Sequence, residues 1–152
     1  MAAVTISELG GHVGEAVTVR GWAMTTRSSG KIAFLVLRDG TGYLQAVFSR
    51  KEVSDAVWEA FQRLTQETSL AVTGTVRAEP RSPGGFELTA TDLVVIGPSV
   101  DFPISPKEHG TSFLFEHRHL WLRSRRQVAI ARVRHEVVQA IRDFFYGRGF
   151  VL

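Results

Sequence analysis

The sequence predicts a mainly β domain of five strands with one helix between the third and fourth strands, followed by a linker and one long helix. Apolar and polar residues alternate in five runs before residue 98, which is typical of half-buried strands. Apolar residues recur every three or four positions over residues 50–64 and again after residue 124, which indicates two amphipathic helices. Three strands, a helix and two more strands are the order of the five-stranded OB-fold barrel, whose second and third strands form the usual binding face.

Residues 16–25 predict the first strand, after a short lead-in over residues 6–14. The pair Gly21-Trp22 within this strand suggests a bend or bulge, as small barrels need where they curl. A polar and basic loop is expected over residues 26–31. The core face of the strand is predicted to hold Val17, Val19, Gly21 and Ala23.

A hairpin over residues 31–48 predicts the second and third strands. Its turn, residues 39–42, has the sequence Asp-Gly-Thr-Gly, which carries residues that hairpin loops favour. If these four residues form the loop, alternation gives the hairpin one apolar face and one mixed face. The apolar face is the predicted core side and holds Ala33, Leu35, Leu37, Leu44, Ala46 and Phe48. The mixed face holds Phe34, Val36, Arg38, Tyr43, Gln45 and Val47.

Phe34 and Gln45 are diagonal neighbours on the mixed face, within reach of one ligand. An aromatic platform beside an amide and cations is how a sheet holds an unstacked base, with stacking for affinity and the amide to read a base edge. This pair therefore indicates a site for single-stranded nucleic acid. The alternative is that Phe34 packs under a loop and Gln45 only faces water.

The other elements of the first domain follow from the same patterns. Ser49 and Glu52 have the spacing of a capping box, which predicts a helix over residues 50–64. Alternation resumes over residues 69–79 and 86–96, which predicts the fourth and fifth strands. The apolar face of the helix is expected to hold Val53, Ala56, Val57, Ala60, Phe61 and Leu64.

Prolines after the fifth strand mark a change of organisation. We expect an OB-fold domain over residues 1–98, a linker or hinge over residues 99–123 and a further segment over residues 124–152. The first domain has 9 Lys and Arg against 10 Asp and Glu, and the remainder has 9 against 5. The first domain is therefore not a binder of polyanions through bulk charge, so any recognition of nucleic acid depends on local groups.

A long helix is predicted after residue 124. Ser124 and Gln127 have capping-box spacing, and a helix of roughly six turns should end near Gly147 or Gly149. Such a helix has little in its own chain to cover its apolar stripe, which suggests a chain that stops inside a domain. The stripe holds Val133, Val137, Ile141 and Phe144, and Ile130 extends it.

The composition excludes several classes of protein and site. A hydrophobic content of 44% with 22% charged residues is ordinary for a globular protein with its own core. The sequence has no cysteine, so a disulfide framework and a Cys-based zinc site are excluded.

The absence of a long apolar run and of a signal-peptide pattern predicts a cytoplasmic protein without membrane contact. No catalytic set is recognised, and His117 and His119 lack a nearby third ligand, so neither a catalytic nor a metal site is expected.

Several motifs together resemble a known family. The first half is similar to the anticodon-binding barrel of class II aminoacyl-tRNA synthetases for aspartate, asparagine and lysine, through Gly21-Trp22, Arg27, Phe34, Leu37-Arg38-Asp39, Gly42 and Gln45. Three later segments resemble asparaginyl-tRNA synthetases in particular: Phe102-Pro103-Ile104, Lys107-Glu108-His109 and His119-Leu120-Trp121-Leu122-Arg123-Ser124. Residues 132–150 resemble the opening of class II motif 1, which forms the dimer interface in that family.

The resemblance implies an anticodon-binding domain followed by the start of an α/β class II catalytic domain. Motifs 2 and 3, which hold ATP and the amino acid in the family, are absent, so the chain itself is expected to bind no cofactor and to be inactive. The parent enzyme would use ATP and Mg to join asparagine to tRNA. Expected partners are tRNA and the second subunit of a homodimer, which would contact Val133, Val137, Ile141 and Phe144.

The resemblance also assigns roles to single residues. Phe34 would stack on the middle anticodon base, a uridine, and Gln45 would hydrogen-bond the edge of that base. Arg27, in the predicted loop before the second strand, would contact a base or a phosphate, and Lys31 is a candidate phosphate contact. Glu87, at the start of the fifth strand, is a candidate for reading a neighbouring base. Trp22 is expected in the core or at the barrel rim.

Other interpretations remain beside the asparagine–tRNA ligase. An aspartyl-tRNA synthetase fragment is the nearest alternative, because the barrel alone hardly separates the two. A free-standing OB-fold protein that binds single-stranded nucleic acid would not need the motif 1 helix. A dimerisation or scaffold module would not need the face that carries Phe34 and Gln45.

Overall fold

The structure is a computed structural model that describes residues 3–151. The chain forms two compact units, the first ending at Phe102 and the second beginning at Pro103. The first unit is mainly β and the second is helical.

A single six-stranded sheet makes up most of the first unit. Its strands are β1 (Ala3–Val4), β2 (Ala16–Ser29), β3 (Ile32–Arg38), β4 (Tyr43–Ser49), β5 (Ser69–Ala78) and β6 (Phe86–Gly97). They pair in the order β1-β2-β3-β4-β6-β5, and β5 also pairs with β2. A 3-10 helix, Ile6–Gly11, follows β1, the helix α1 (Asp55–Gln62) follows β4, and a short 3-10 turn, Pro83–Gly85, precedes β6. The predicted fourth and fifth strands, residues 69–79 and 86–96, agree with β5 and β6 to within one residue at each end.

The hairpin of β3 and β4 has the predicted register. Phe34 lies opposite Val47, and Val36 lies opposite Gln45. All six residues of the predicted apolar face are fully buried. The ring of Phe48 packs against Phe61 of α1, with centroids 5.2 Å apart. Burial of each large apolar side chain contributes about 1.5–3 kcal/mol, so this face is a main part of the core.

Asp39 holds the turn of this hairpin and ties it to the 3-10 helix. Its Oδ1 accepts hydrogen bonds from the backbone N–H groups of Thr41 (2.8 Å) and Gly42 (3.1 Å), and its Oδ2 accepts one from Ile6 (2.7 Å). Partial burial raises the pKa of Asp39, but these bonds outweigh it, and the pKa lies below its usual value. The turn is therefore built around an ionised carboxylate.

The first long strand extends further than predicted. β2 continues to Ser29, so the expected loop over residues 26–31 is wrong, and Arg27 lies on the strand opposite Phe34. The reason is that β2 pairs with β3 along the whole length of β3. The register shift falls between Ala23 and Thr25, not at Gly21-Trp22. Gly21 has a different role, which is to allow the close approach of the Arg38 backbone. A Cβ at position 21 would lie 2.3 Å from the carbonyl oxygen of Arg38.

The helix α1 begins later than predicted. Ser54, not Ser49, is its N-cap, and the Ser54 hydroxyl accepts a bond from the Val57 N–H at 3.3 Å. Ser49 is still part of β4, and the Arg50 N–H extends the hairpin by bonding the Lys31 carbonyl at 2.8 Å. Ser49 and Arg50, which the sequence pattern assigned to the start of the helix, therefore belong to the hairpin. Four side chains of this segment are buried, Val53, Val57, Trp58 and Phe61, whereas Ala56 is exposed.

Within residues 103–151 the second unit has three helices: α2 (Thr111–Glu116), α3 (Arg118–Trp121) and α4 (Arg125–Tyr146). The first two lie inside the segment that the sequence analysis treated as a linker. Ser124 caps α4 by accepting a bond from the Gln127 N–H at 3.4 Å, and Gly147 is the C-cap, as predicted. Among the described residues, no helix is long and apolar enough to cross a membrane.

Candidate nucleic-acid interface

Five polar or aromatic side chains form a row across the sheet, which we call the cross-strand row: Arg27 on β2, Phe34 on β3, Gln45 on β4, Glu87 on β6 and Arg77 on β5. Arg27 is paired with Phe34, Gln45 with Glu87, and Glu87 with Arg77. Phe34 and Gln45 lie on the diagonal that the hairpin register predicts. Pairing of consecutive strands, together with the long-range pairing of β4 with β6, thus brings four predicted site residues and Arg77 together.

Arg27 covers the ring of Phe34. The guanidinium carbon lies 4.3 Å from the ring centroid, which is a cation–π contact. Nη2 of Arg27 also donates a hydrogen bond to Oε1 of Gln45 at 3.3 Å. Arg27 is exposed and Phe34 is half-buried, so the aromatic face is within reach of a ligand once the arginine moves aside.

Gln45 is held from its other side by Glu87. Nε2 of Gln45 donates to Oε1 of Glu87 at 2.7 Å and lies 3.5 Å from the hydroxyl of Ser82. The Ser82 hydroxyl donates to the same oxygen of Glu87 at 2.6 Å, and Nη2 of Arg77 donates to Oε2 at 2.9 Å. Both carboxylate oxygens of Glu87 are therefore engaged within the protein.

Glu87 is an ionised side chain in a buried position, with 7% of its surface exposed. Burial raises the pKa of Glu87, but the hydrogen bonds from Ser82, Arg77 and Gln45 outweigh it. The pKa therefore lies below its usual value, and Glu87 is a carboxylate at neutral pH. A carboxylate accepts hydrogen bonds and donates none.

An open cleft of about 380 Å³ lies beside the row. It is lined by four residues between β5 and β6, Glu79, Arg81, Ser82 and Pro83, and by three residues of the row, Arg27, Gln45 and Glu87. Arg81 is exposed, so two exposed arginines border a cleft that an amide and a carboxylate also line. Arginine side chains at such an edge suit phosphate oxygens, which position a nucleic acid without reading its sequence.

Sequence reasoning missed Ser82 and Arg77. Ser82 and Arg77 carry no local pattern, and the antiparallel pairing of β5 with β6 brings them to Glu87. Lys31 is exposed in the turn between β2 and β3. Trp22 is 38% exposed and its ring lies 5.4 Å from the Arg38 guanidinium carbon, so it is outside the core.

The structure also describes the histidines considered as metal ligands. Nδ1 of His117 bonds the carbonyl oxygen of Phe113 at 2.9 Å. Across residues 3–151, no group of three or more His, Cys, Asp or Glu side chains is arranged to hold a metal ion.

The sheet belongs to a known class of domain. Residues 17–96 match the tRNA anticodon family, which is described as an OB-fold nucleic acid binding domain. The matched residues are more than half of the sequence, and the chain therefore belongs to this family.

The relatives of the chain narrow this class. The asparagine–tRNA ligase of Sorangium cellulosum is 53% identical over 150 residues, which are 98% of this chain and 34% of that protein. The asparaginyl-tRNA synthetase of Pyrococcus horikoshii superposes with a TM-score of 0.87 at 33% identity, over 97% of this chain and 35% of that one. The aspartyl-tRNA synthetase of Entamoeba histolytica, at 21% identity and a TM-score of 0.79 over 98% of this chain and 38% of its own, shows a shared fold only.

These similarities confirm the predicted anticodon-binding domain of the asparaginyl-tRNA synthetase type, over the aspartyl and free-standing alternatives. The chain spans about a third of the length of the relatives that it matches.

Proposed function

We propose that the cross-strand row binds the anticodon loop of a tRNA, as the recognition part of an asparagine–tRNA ligase. The observation that carries the proposal is the diagonal of Phe34 and Gln45, with Arg27 over the ring. Phe34 stacks on the middle base, a uridine, and Gln45 hydrogen-bonds its edge. Base stacking on an aromatic ring is worth about 1–3 kcal/mol and supplies most of the affinity at this position.

The cations around the row bind the RNA backbone. Arg27 leaves the Phe34 ring and contacts a base or a phosphate, and Lys31 contacts a phosphate from the turn beside β3. The acidic balance of residues 1–98 fits contacts of this local kind better than binding by bulk charge. The pairing of β5 with both β6 and β2 supports the predicted barrel, which would consist of the five longer strands, β2 to β6, without the two-residue β1, and would give the row a rigid base.

The parent enzyme would supply the chemistry. The relatives are named asparagine–tRNA ligases, and this chain corresponds to about a third of each. We infer that the whole protein joins asparagine to tRNA with ATP and Mg in the cytoplasm, and that the present chain contributes recognition without catalysis. The 1–98, 99–123 and 124–152 division remains our proposal for the domains, with residues 124–152 as the start of the catalytic domain.

The apolar stripe of α4 is proposed as part of a homodimer interface. Val133, Val137, Ile141 and Phe144 are between 52% and 65% exposed. Apolar side chains that stay exposed together on one helix face are typical of an interface.

A titration with RNA tests the proposed function. The 15N-labelled chain is mixed with a stem-loop that has uridine at the middle anticodon position, and with a fully paired duplex of the same composition. We expect tighter binding to the stem-loop, with the largest changes in amide resonances at residues of the cross-strand row. Equal binding to the two RNAs, or changes confined to another surface, would contradict the proposal.

A further inference from the structure

The amide of Gln45 has one orientation, which its neighbours impose from both sides. Glu87 is an ionised carboxylate and accepts hydrogen bonds only, so the group that faces it at 2.7 Å must be the NH₂ of Gln45. Arg27 has donors only, so the group that faces it at 3.3 Å must be the amide oxygen. The orientation therefore follows from the chemistry of the two partners.

The two partners of this amide differ in how firmly they are held. Glu87 is buried and is fixed by Ser82 at 2.6 Å and by Arg77 at 2.9 Å. Arg27 is exposed, and its bond to Gln45 is long for a charge-assisted hydrogen bond. A ligand that enters the site thus displaces Arg27 and meets the amide oxygen, while the NH₂ stays on Glu87.

We propose that Glu87 is a positioning residue that holds the Gln45 amide with its oxygen towards the ligand, and thereby makes the site select uridine over cytidine. This inference rests on the proposed function of the cross-strand row. N3 of uridine carries a hydrogen that the amide oxygen accepts, whereas N3 of cytidine carries a lone pair that the oxygen repels. A reversed amide would present NH₂ and would favour cytidine. Glu87 thus acts on the choice between uridine and cytidine through Gln45.

The test compares the wild-type chain with two variants, on stem-loops that have uridine or cytidine at the middle anticodon position. The wild type should prefer the uridine loop by about 5- to 150-fold, the usual range for a good base contact. Glu87→Gln offers Gln45 both an oxygen and an NH₂, so the amide can turn. The preference should then fall to about threefold or less, mainly because the cytidine loop binds more tightly.

Arg77→Met is the matched control. Arg77 bonds Oε2 of Glu87, whereas Gln45 bonds Oε1, which the Ser82 hydroxyl also holds at 2.6 Å. This variant therefore removes a charge from the row but leaves the acceptor of the Gln45 amide in place. Its affinity for both loops should fall by a similar factor, and its preference for uridine should stay within about twofold of the wild-type value.

The outcomes separate this inference from the function on which it rests. A wild-type chain that fails to bind the uridine loop overturns both. The role of Glu87 alone is overturned if the wild-type chain prefers uridine and the Glu87→Gln variant keeps that preference. The same holds if the variant loses affinity equally for both loops.

A second measurement covers the case in which Glu87→Gln does not fold. The side-chain amide protons of Gln45 in the free wild-type chain should give two distinct NMR resonances that exchange slowly with water. Rapid exchange, like that of an exposed glutamine, would also overturn the inference.

Discussion

The guanidinium carbon of Arg27 lies 4.3 Å from the centroid of the Phe34 ring. The ring on which a base would stack is thus covered by a cation in the free chain. A cation–π contact at an exposed site is worth about 0.5–1 kcal/mol, whereas a base stacked on an aromatic ring is worth about 1–3 kcal/mol. A base can therefore replace Arg27, and the freed guanidinium can then bind the RNA.

Replacing Phe34 tests the stacking contact. Phe34→Ala should weaken binding of the uridine stem-loop about 5- to 150-fold, because the stacking free energy is lost. Phe34→Leu should lose nearly as much, since leucine keeps the half-buried bulk but has no aromatic face. Fluorescence anisotropy gives the dissociation constants, and thermal melts show whether both variants fold. Unchanged affinity in Phe34→Ala would contradict the proposal that a base stacks on Phe34.

Replacing the two cations tests their contacts with phosphate. Arg27→Met and Lys31→Met should each reduce the slope of log affinity against log salt by about 0.7–1, because each removes one phosphate contact. The binding constant is measured between low and physiological salt for the wild type and both variants. Arg63→Met is the control, since Arg63 is exposed just after α1 and should leave the slope unchanged. A slope unaffected in all three variants would exclude the backbone role.

Alternation along a short hairpin is the part of the fold that the sequence determines best. The Asp-Gly-Thr-Gly turn fixes the register, and a slip by one residue would expose Leu35, Leu37 and Phe48 together. The diagonal of Phe34 and Gln45 follows from that register, which is why this part of the site could be predicted.

Contacts between distant segments are the part that local patterns leave undetermined. Ser49 and Ser54 are both suitable caps, and only the extension of β4 to Ser49 makes Ser54 the start of α1. In the same way, the bonds of Glu87 to Gln45 and Arg77 depend on how β6 pairs with β4 and β5, which no local pattern specifies.

Glu87 should make the stability of the first unit depend on pH. Its folded pKa is lowered, because bonds from Ser82, Arg77 and Gln45 outweigh the effect of burial. Its contribution to the free energy of unfolding is therefore fully present above the pKa of glutamate in the unfolded chain, about 4.3. That contribution is lost as the pH falls through the pKa of Glu87 in the folded chain. Urea denaturation between pH 7 and pH 3 should show a free energy of unfolding that drops in acid. The drop should be smaller in Glu87→Gln, and equal drops in the two proteins would contradict this account.

The chain should not form an aminoacyl-adenylate by itself. Adenylate formation needs groups that hold ATP and stabilise charge on the α-phosphate. The sequence offers no such constellation. The measurement is asparagine-dependent exchange of pyrophosphate into ATP, with an active asparagine–tRNA ligase as the positive control. Exchange by the purified 152-residue chain would show the inference of a recognition-only chain to be wrong.

The stripe on α4 should make the chain associate with itself. Val133, Val137, Ile141 and Phe144 are each more than half exposed. Covering each of these side chains is worth up to about 1.5–3 kcal/mol, so pairing of two stripes is favourable. Sedimentation over a concentration series should therefore show a monomer–dimer equilibrium. Ile141→Glu should shift it to monomer, because a charge in the centre of an apolar interface is costly to bury.

Gln139→Glu is the control for this last variant. It introduces the same charge on the same helix but off the stripe, beside Asp143, to which Gln139 now donates a bond at 2.7 Å. Association should persist in this variant, within a few-fold of the wild-type dissociation constant, because repulsion between two carboxylates four residues apart on a helix costs only about 0.2–0.5 kcal/mol. Both variants keep the OB-fold unit intact, so they should bind the uridine stem-loop like the wild type. Equal monomer fractions in the wild type and Ile141→Glu would mean that the stripe is not where two copies meet.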